Sequence, residues 1–343
     1  MRSLLQSAVE TALLLSLVAG MLWKRGSRDS QQPLEAADIQ FYYVTLLEIM
    51  PIFSTLSALD QSAANNIYPL QEFYDKTHLP SEAPWVIGDA ALPDDWPSAG
   101  QIEFTGYSMR YADSQTLALE DISFTVRPGE KIGIVGRTGA GKSSLLQALF
   151  RIVEPEAGSI FVDGVNIHEL GLHDLRARMS VVPQNPALFE GTLRSNLDPL
   201  SRHTDDEAWA AIKAAQIEGL AGVGLDMWIE RGGRNLSAGQ CQLICLCRAL
   251  LQRRKILVLD EATANVDAAT DQIIKAAVKQ RFSSSTVLTI AHRVETVIDS
   301  DRILVMDEGR VAEFDTPESL LSRGSRFAEL LAASQASSPA QEQ

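Results

Sequence analysis

The residues Gly136-Arg137-Thr138-Gly139-Ala140-Gly141-Lys142-Ser143 have the composition of a phosphate cradle. They fit the pattern G-x-x-x-x-G-K-[ST]. They follow the apolar run KIGIVG and open the helical run KSSLLQALFRI, the strand, loop and helix that the pattern requires. The glycines let the backbone pass close to phosphate oxygens with its N–H groups turned inward. The helix N-terminus adds the positive end of its dipole. In that geometry Lys142 reaches the β- and γ-phosphates and the Ser143 hydroxyl holds Mg2+, with Ser144 next in the cradle. A second apolar run, Lys255-Ile-Leu-Val-Leu-Asp260-Glu261, ends in two carboxylates. Asp260 can reach the hydration shell of a metal. Glu261 can face an attacking water as general base or orienting group. A chance glycine turn and a solvated strand end are the competing readings. The strand and helix around the loop weigh against the first, and the loop itself against the second.

These residues need a scaffold, and the pattern around them predicts one. From Gln101 to Ala333, short strand-like runs (IEF, YSMRY, KIGIVG, KILVLD, TVLTIAH) alternate with helical patterns. RILVMDEGRVAEF reads as a hairpin turning at Glu308-Gly309. Apolar strands alternating with helices predict an α/β fold with a mostly parallel sheet covered on both faces. Acidic side chains outnumber basic ones by 44 to 30, for a net charge of −14, which argues against a nucleic-acid surface. Cys241, Cys245 and Cys247 crowd into one apolar helical stretch. Their spacing fits buried helix thiols and not a disulfide framework or a zinc site, and suits a reducing compartment.

Residues 1–59 contain two apolar stretches, Ala12–Trp23 and Ile39–Leu59. A membrane span takes about 20 residues, so the first must reach back through Glu10 and Gln6. The second is long enough but holds Glu48 and Pro51, as in a helix packed against other membrane helices. Competing readings of the first stretch are a signal peptide ending near Val18-Ala19-Gly20 and an interfacial helix. Lys24, Arg25 and Arg28 between the stretches favour the cytosolic side. Two spans with residues 101–333 in the cytosol would put them outside. Residues 60–100 read as a linker punctuated by prolines, beginning as a continuation of the second helix and then extended. Residues 334–343 read as a disordered polar tail.

Leu236-Ser237-Ala238-Gly239-Gln240 lies between the two nucleotide motifs and resembles the LSGGQ signature of ATP-binding cassette (ABC) proteins. GTLRSNLDP, TANVDAATD, the run from VLTIAHRV to TPESLL and the leading EAPW…DWPSAGQIEF resemble subfamily C, the multidrug-resistance-associated proteins, and their second cassette in particular. The resemblance implies a P-loop NTPase cassette over residues 101–333. It would have an antiparallel β subdomain and a helical signature subdomain beside the parallel sheet, with N-terminal membrane helices before it. It implies that Tyr111 stacks on adenine, that Gln184 touches Mg2+ or the water, and that His292 contacts the γ-phosphate. Ala264-Asn265-Val266-Asp267 matches the loop after the acidic strand. Ser237, Ala238, Gly239 and Gln240 would face an ATP bound by a second cassette packed head to tail. Ala238 replaces the usual glycine, and Cys241 stands where a basic residue is common.

The resemblance further implies ATP and Mg2+ as ligands and a multi-pass membrane location with the cassette in the cytoplasm. Its partners would be a second cassette, the remaining membrane-domain helices and lipid, with no nucleic acid. The expectation is a C-terminal piece of a transporter that hydrolyses ATP to export an unnamed substrate. A cassette that gates or regulates a channel, a soluble cassette and a non-functional remnant are the alternatives.

Overall fold

The computed structural model describes residues 18, 20, 22, 36–79, 81–87, 92, 93, 95–112, 114–217, 224–262, 266–291 and 293–336. The chain divides into two compact units, Met1–Ser81 and Glu82–Gln343. In the first, α1 (Ala36–Thr77) runs for 42 residues and contains Pro51 and Pro69. The backbone continues helical through residue 59. The Ser54 and Thr55 hydroxyls both donate to the Pro51 carbonyl at 2.8 Å. Phe41, Tyr43, Leu47, Ile52, Leu59, Tyr68 and Phe73 are exposed along it. No helix among the described residues is long and apolar enough to cross a membrane. The expected first span, Ala12–Trp23, lies outside the described residues apart from 18, 20 and 22.

Among the described residues, the second unit is built on three sheets. Four strands form an antiparallel sheet in the order β2-β1-β4-β5: β1 (Ile102–Met109), β2 (Leu119–Val126), β4 (Ala157–Val162) and β5 (Val165–Asn166). On β2 buried and solvated residues alternate, which leaves one face of this sheet for the core. Phe104 stacks on Phe124 across the strands at 4.7 Å. Six strands form the main sheet, in the order β12-β11-β3-β10-β9-β6. They are β3 (Lys131–Gly136), β6 (Met179–Val182), β9 (Ile256–Asp260), β10 (Thr286–Ile290), β11 (Arg302–Asp307) and β12 (Arg310–Asp315). All its pairs are parallel except the β11–β12 hairpin at the edge. The middles of β3, β9 and β11 are buried without alternation, as strands covered on both faces must be. The hairpin turns at Glu308 (φ 47°) and Gly309 (φ 75°), the left-handed pair that matches strand twist.

Helices α2 (Lys142–Leu149) and α3 (Leu172–Ala177) lie between strands of the two larger sheets. A helical region follows, with α4 (Leu193–Leu197), α5 (Asp205–Ala214) and α6 (Ala238–Gln252) around the short pair β7 (Gly191–Thr192) and β8 (Trp228–Ile229). From Cys241 to Leu251, α6 is buried everywhere except Arg248. Its cysteines are free and buried. Arg248 ties the region together, donating to Asn196 O at 2.6 Å, Ala187 O at 2.7 Å and Asn196 Oδ1 at 3.2 Å. Then come α7 (Ala268–Arg281), α8 (Pro317–Ser322) and α9 (Arg326–Ala336). Because α9 runs through Ala336, the first residues of the expected disordered tail are helical, continuing the turns that Phe327, Leu330 and Leu331 pack into the core.

The stretch that leads into β1 is pinned. The Asp163 carboxylate accepts the N–H groups of Ala99, Gly100 and Gln101 at 2.7–3.1 Å. The buried Trp96 donates from Nε1 to Val162 O at 3.1 Å. Further upstream, the Pro84 and Trp85 carbonyls accept from the first N–H groups of α3. Gly171 leaves no room for a side chain there, because a Cβ would stand 2.8 Å from Trp85 O.

Candidate nucleotide site

The phosphate loop is the connection from β3 to α2. Gly136 ends β3 against β11; a Cβ there would lie 2.3 Å from Met306 O. Gly141 has φ 97°, and a Cβ on it would approach Ala118 O at 3.1 Å and Gly309 Cα at 3.3 Å. Both glycines are therefore required by close backbone approach as well as by phosphate. The hairpin turn braces the loop from outside, since Gly309 N–H donates to Ala140 O at 3.1 Å. Lys142 is 8% exposed, and its Nζ donates to Gly136 O at 2.8 Å and Arg137 O at 3.1 Å. Burial pulls its ammonium below the ordinary lysine range, against the opposing pull of the Glu261 carboxylate. A low-dielectric cation at the mouth of a loop is poised to gain by pairing with phosphate.

The acidic pair stands at the end of β9. Asp260 is in register with Ile290 of β10, and Ile290 with Ile134 of β3, so the pair and the loop share one edge of the sheet. Ligands of open α/β sheets bind outside that carboxyl edge. Burial first, then the adjacent Glu261 charge, pushes the Asp260 carboxyl above its usual range. Glu261 has φ 45°, a left-handed conformation uncommon for a non-glycine residue, with its N–H held by Ile290 O at 3.0 Å. Gln184 Nε2 donates to Glu261 Oε2 at 2.5 Å. The Tyr111 hydroxyl and Ser144 Oγ are 2.9 Å apart.

These parts surround one cleft of about 730 Å3. Its lining includes Tyr111, Thr138, Gly139, Gly141, Lys142, Ser143, Ser144, Gln184 and Glu261. Gly136, Arg137, Ala140 and Asp260 support it without lining it. The sequence did not mark Ser114, Thr116, Leu117, Ala118, Glu308 or Gly309 as wall residues, though they line it too. Only the hairpin turn had a signal, and nothing in its spacing says that it seats on the loop. His292, Ala264 and Asn265 lie outside the described residues.

The signature lines a different surface. Ser237 caps α6 in a reciprocal box: its Oγ accepts from Gln240 N–H at 3.2 Å and Gln240 Oε1 accepts from Ser237 N–H at 2.8 Å. Ser237 and Ala238 are exposed and Gly239 is buried. None of residues 237–240 lines the cleft. From the same helix, Gln242 Nε2 donates to Pro183 O at 2.9 Å, next to Gln184.

The three-dimensional arrangement and the sequence have known counterparts. Residues 119–264 match the family described as ABC transporter. The chain is 43% identical over 304 residues to ATP-binding cassette sub-family C member 3 of Rattus norvegicus, covering 88% of this chain and 20% of that protein. It is 52% identical over 260 residues to ATP-binding cassette transporter abc2 of Schizosaccharomyces pombe, covering 75% of this chain and 18% of that protein. The chain belongs to the ABC transporter family, subfamily C. A solved structure titled as a bacterial Atm1-family ABC exporter with ATP bound superposes with a TM-score of 0.71 at 30% identity, over 97% of this chain and 59% of that one. The chain thus carries an ATP-binding ABC cassette and spans about a fifth of the length of the curated relatives it matches.

The donors present suit ATP with Mg2+. Among the described residues no group of three or more His, Cys, Asp or Glu could hold a metal. The cleft instead offers separate hard oxygens, Ser143 Oγ and the Gln184 amide, and Asp260 ends β9 one residue before Glu261 of the lining. Mg2+ takes one or two protein oxygens and completes its shell with phosphate and water.

Proposed function

We propose that this cassette binds Mg-ATP in the cleft of about 730 Å3 and hydrolyses the terminal phosphoryl bond. Tyr111 offers its ring to adenine. The backbone of residues 136–144 and the Lys142 ammonium hold the phosphates. Ser143, Gln184 and Asp260 would hold Mg2+, which supplies charge neutralisation at the phosphate oxygens. Glu261 accepts a proton from the water that attacks in line, and His292 contacts the γ-phosphate. Positioning and charge stabilisation account for most of the rate in such chemistry. Ser237, Ala238, Gly239 and Gln240 serve the ATP of a partner cassette. In a longer transporter the cycle drives export of a substrate, with the cassette in the cytoplasm. Residues 1–59 belong to a membrane domain completed by other segments, and this cassette stands second in the chain.

The observation that supports this reading is that Tyr111, Lys142, Ser143, Gln184 and Glu261 share one cleft. Lys142→Ala removes the charge that pairs with two phosphates, so equilibrium binding of a fluorescent ATP analogue should weaken. A charge-assisted pair is worth about 1.5–3 kcal/mol, or roughly ten- to hundredfold in affinity. Unchanged affinity would mean that nucleotide is held elsewhere.

A further inference from the structure

A second cleft, of about 400 Å3, opens between α5 and the C-terminal ends of α6 and α7. It lies at the opposite edge of the main sheet from the nucleotide. Its walls carry Lys255 and Ser285, the residues just before β9 and β10, whereas the nucleotide cleft touches Glu261 beyond the other end of β9. Its rim is cationic. Among the described residues, Arg253, Lys255 and Arg281 line it, against the single carboxylate of Glu207. Glu207 is already committed to capping α5, where Oε2 accepts from Thr204 N–H at 2.8 Å and from Thr204 Oγ1 at 3.1 Å. Among the described residues, none of the three cations has a carboxylate within ion-pair distance.

Cations near helix C-termini complement the helix dipole, and that accounts for Arg281 in the last turn of α7 and for Arg253 at the end of α6. It does not account for Lys255, which precedes β9. Nor does it account for Arg254 beside it, whose Nε is buried with no hydrogen-bond partner. Burial, and then the like charges of Arg178 and Arg202, hold the Arg254 guanidinium below its ordinary pKa. Positive charge is thus concentrated around residues 253–255 in a chain whose net charge is −14. A concave, cation-lined wall focuses its field on whatever anion enters. Gln280 and Ser284 add neutral donors to the same wall. The volume falls within the roughly 300–1,000 Å3 of small-molecule sites.

We propose that this cleft binds a compact compound carrying two or more phosphoryl groups, held by Arg253, Lys255 and Arg281. Guanidinium forks suit phosphoryl oxygens, and a lysine supplies a point charge beside them. The carrier of the phosphoryl groups is either inorganic or a sugar-sized body, and two probes separate these. The full chain is first saturated with a non-hydrolysable Mg-ATP analogue to fill the nucleotide cleft. Pyrophosphate and fructose 1,6-bisphosphate are then titrated in by calorimetry. The expected result is one further site for at least one probe; whichever binds more tightly names the carrier. In Lys255→Gln/Arg281→Gln that site should weaken at least tenfold while the analogue binds unchanged. Both side chains are exposed, so the fold has no stake in them. Arg253→Asn, which keeps a residue tolerant of φ 49°, should weaken the probes likewise. The absence of a further site in the wild-type chain overturns the proposal. So do equal affinities in wild type and variants, or complete displacement by sodium chloride at matched ionic strength.

Discussion

The proposed hydrolysis turns on Glu261, whose backbone is held in a left-handed conformation (φ 45°). A left-handed non-glycine residue costs about 1–3 kcal/mol and persists only where its surroundings over-determine it. Here the Ile290 carbonyl holds its N–H and Gln184 holds its carboxylate. Glu261→Gln keeps the shape and removes the proton acceptor. ATP binding should stay intact while single-turnover hydrolysis falls by about 10²–10⁴-fold, the usual worth of a positioned base. Hydrolysis at the wild-type rate would take Glu261 out of the mechanism. Tyr111 can be dissected in the same way, because its ring and its hydroxyl do different things. Tyr111→Ala removes the stacking face, worth about 1–3 kcal/mol per base, and should weaken ATP more than inorganic tripolyphosphate. Tyr111→Phe keeps the face and loses only the 2.9 Å contact with Ser144, so its loss should be smaller. Equal losses for ATP and tripolyphosphate in Tyr111→Ala would reduce Tyr111 to a packing residue.

At the scale of elements, the two small residues that open α6 meet different surroundings. Ala238 is exposed in the first turn of α6. Gly239 is wedged against the start of α7, where a Cβ would lie 2.9 Å from Thr270 Oγ1 and 3.5 Å from Asp267 Oδ2. Those two atoms belong to the cap of α7, in which Thr270 Oγ1 donates to Asp267 Oδ2 at 2.9 Å and Thr270 N–H donates to Asp267 Oδ1 at 3.0 Å. Gly239→Ala must move one helix start against the other. Overpacking of this kind costs about 1–3 kcal/mol, so thermal unfolding should shift down by several degrees. Ala238→Gly meets no neighbour and should cost at most about 1 kcal/mol of helix propensity. Equal shifts for the two variants would show that the α6–α7 contact carries no packing constraint.

At the scale of the whole molecule, the proposed function makes the cleft one half of a catalytic site. The phosphate loop, Gln184 and Glu261 line it, and residues 237–240 of the same chain do not. The chain contains one phosphate loop and one signature. If a γ-phosphate needs a helix N-terminus on its open side, another cassette must bring it. The isolated chain should therefore bind ATP and hydrolyse it slowly. A steady-state ATPase titration over chain concentration, with and without a partner cassette carrying its own signature, measures this. The rate per molecule should rise with the partner, and a serine-to-arginine change in the partner's signature should abolish the gain. A rate that is high without partner and independent of concentration would show that a single chain suffices.

The sequence by itself determined what local rules govern. Strand, loop and helix around Lys142, the carboxylates after β9, the hairpin at Glu308-Gly309 and the burial of the cysteines each follow from a few neighbouring residues obeying periodicity, turn chemistry or charge. The tertiary structure decided which distant pieces meet. Tyr111 reaches Ser144, Gly309 braces Ala140, and Gln184 meets Glu261 because the main sheet sets its strands side by side as β11-β3-β10-β9-β6, an order that no local pattern encodes. The same holds for Gly239. In the sequence it is one letter of a motif, and only the approach of α7 shows that its missing side chain is a packing requirement. Strand order and helix contacts depend on the summed burial of the whole core, and that sum is a property of the folded chain.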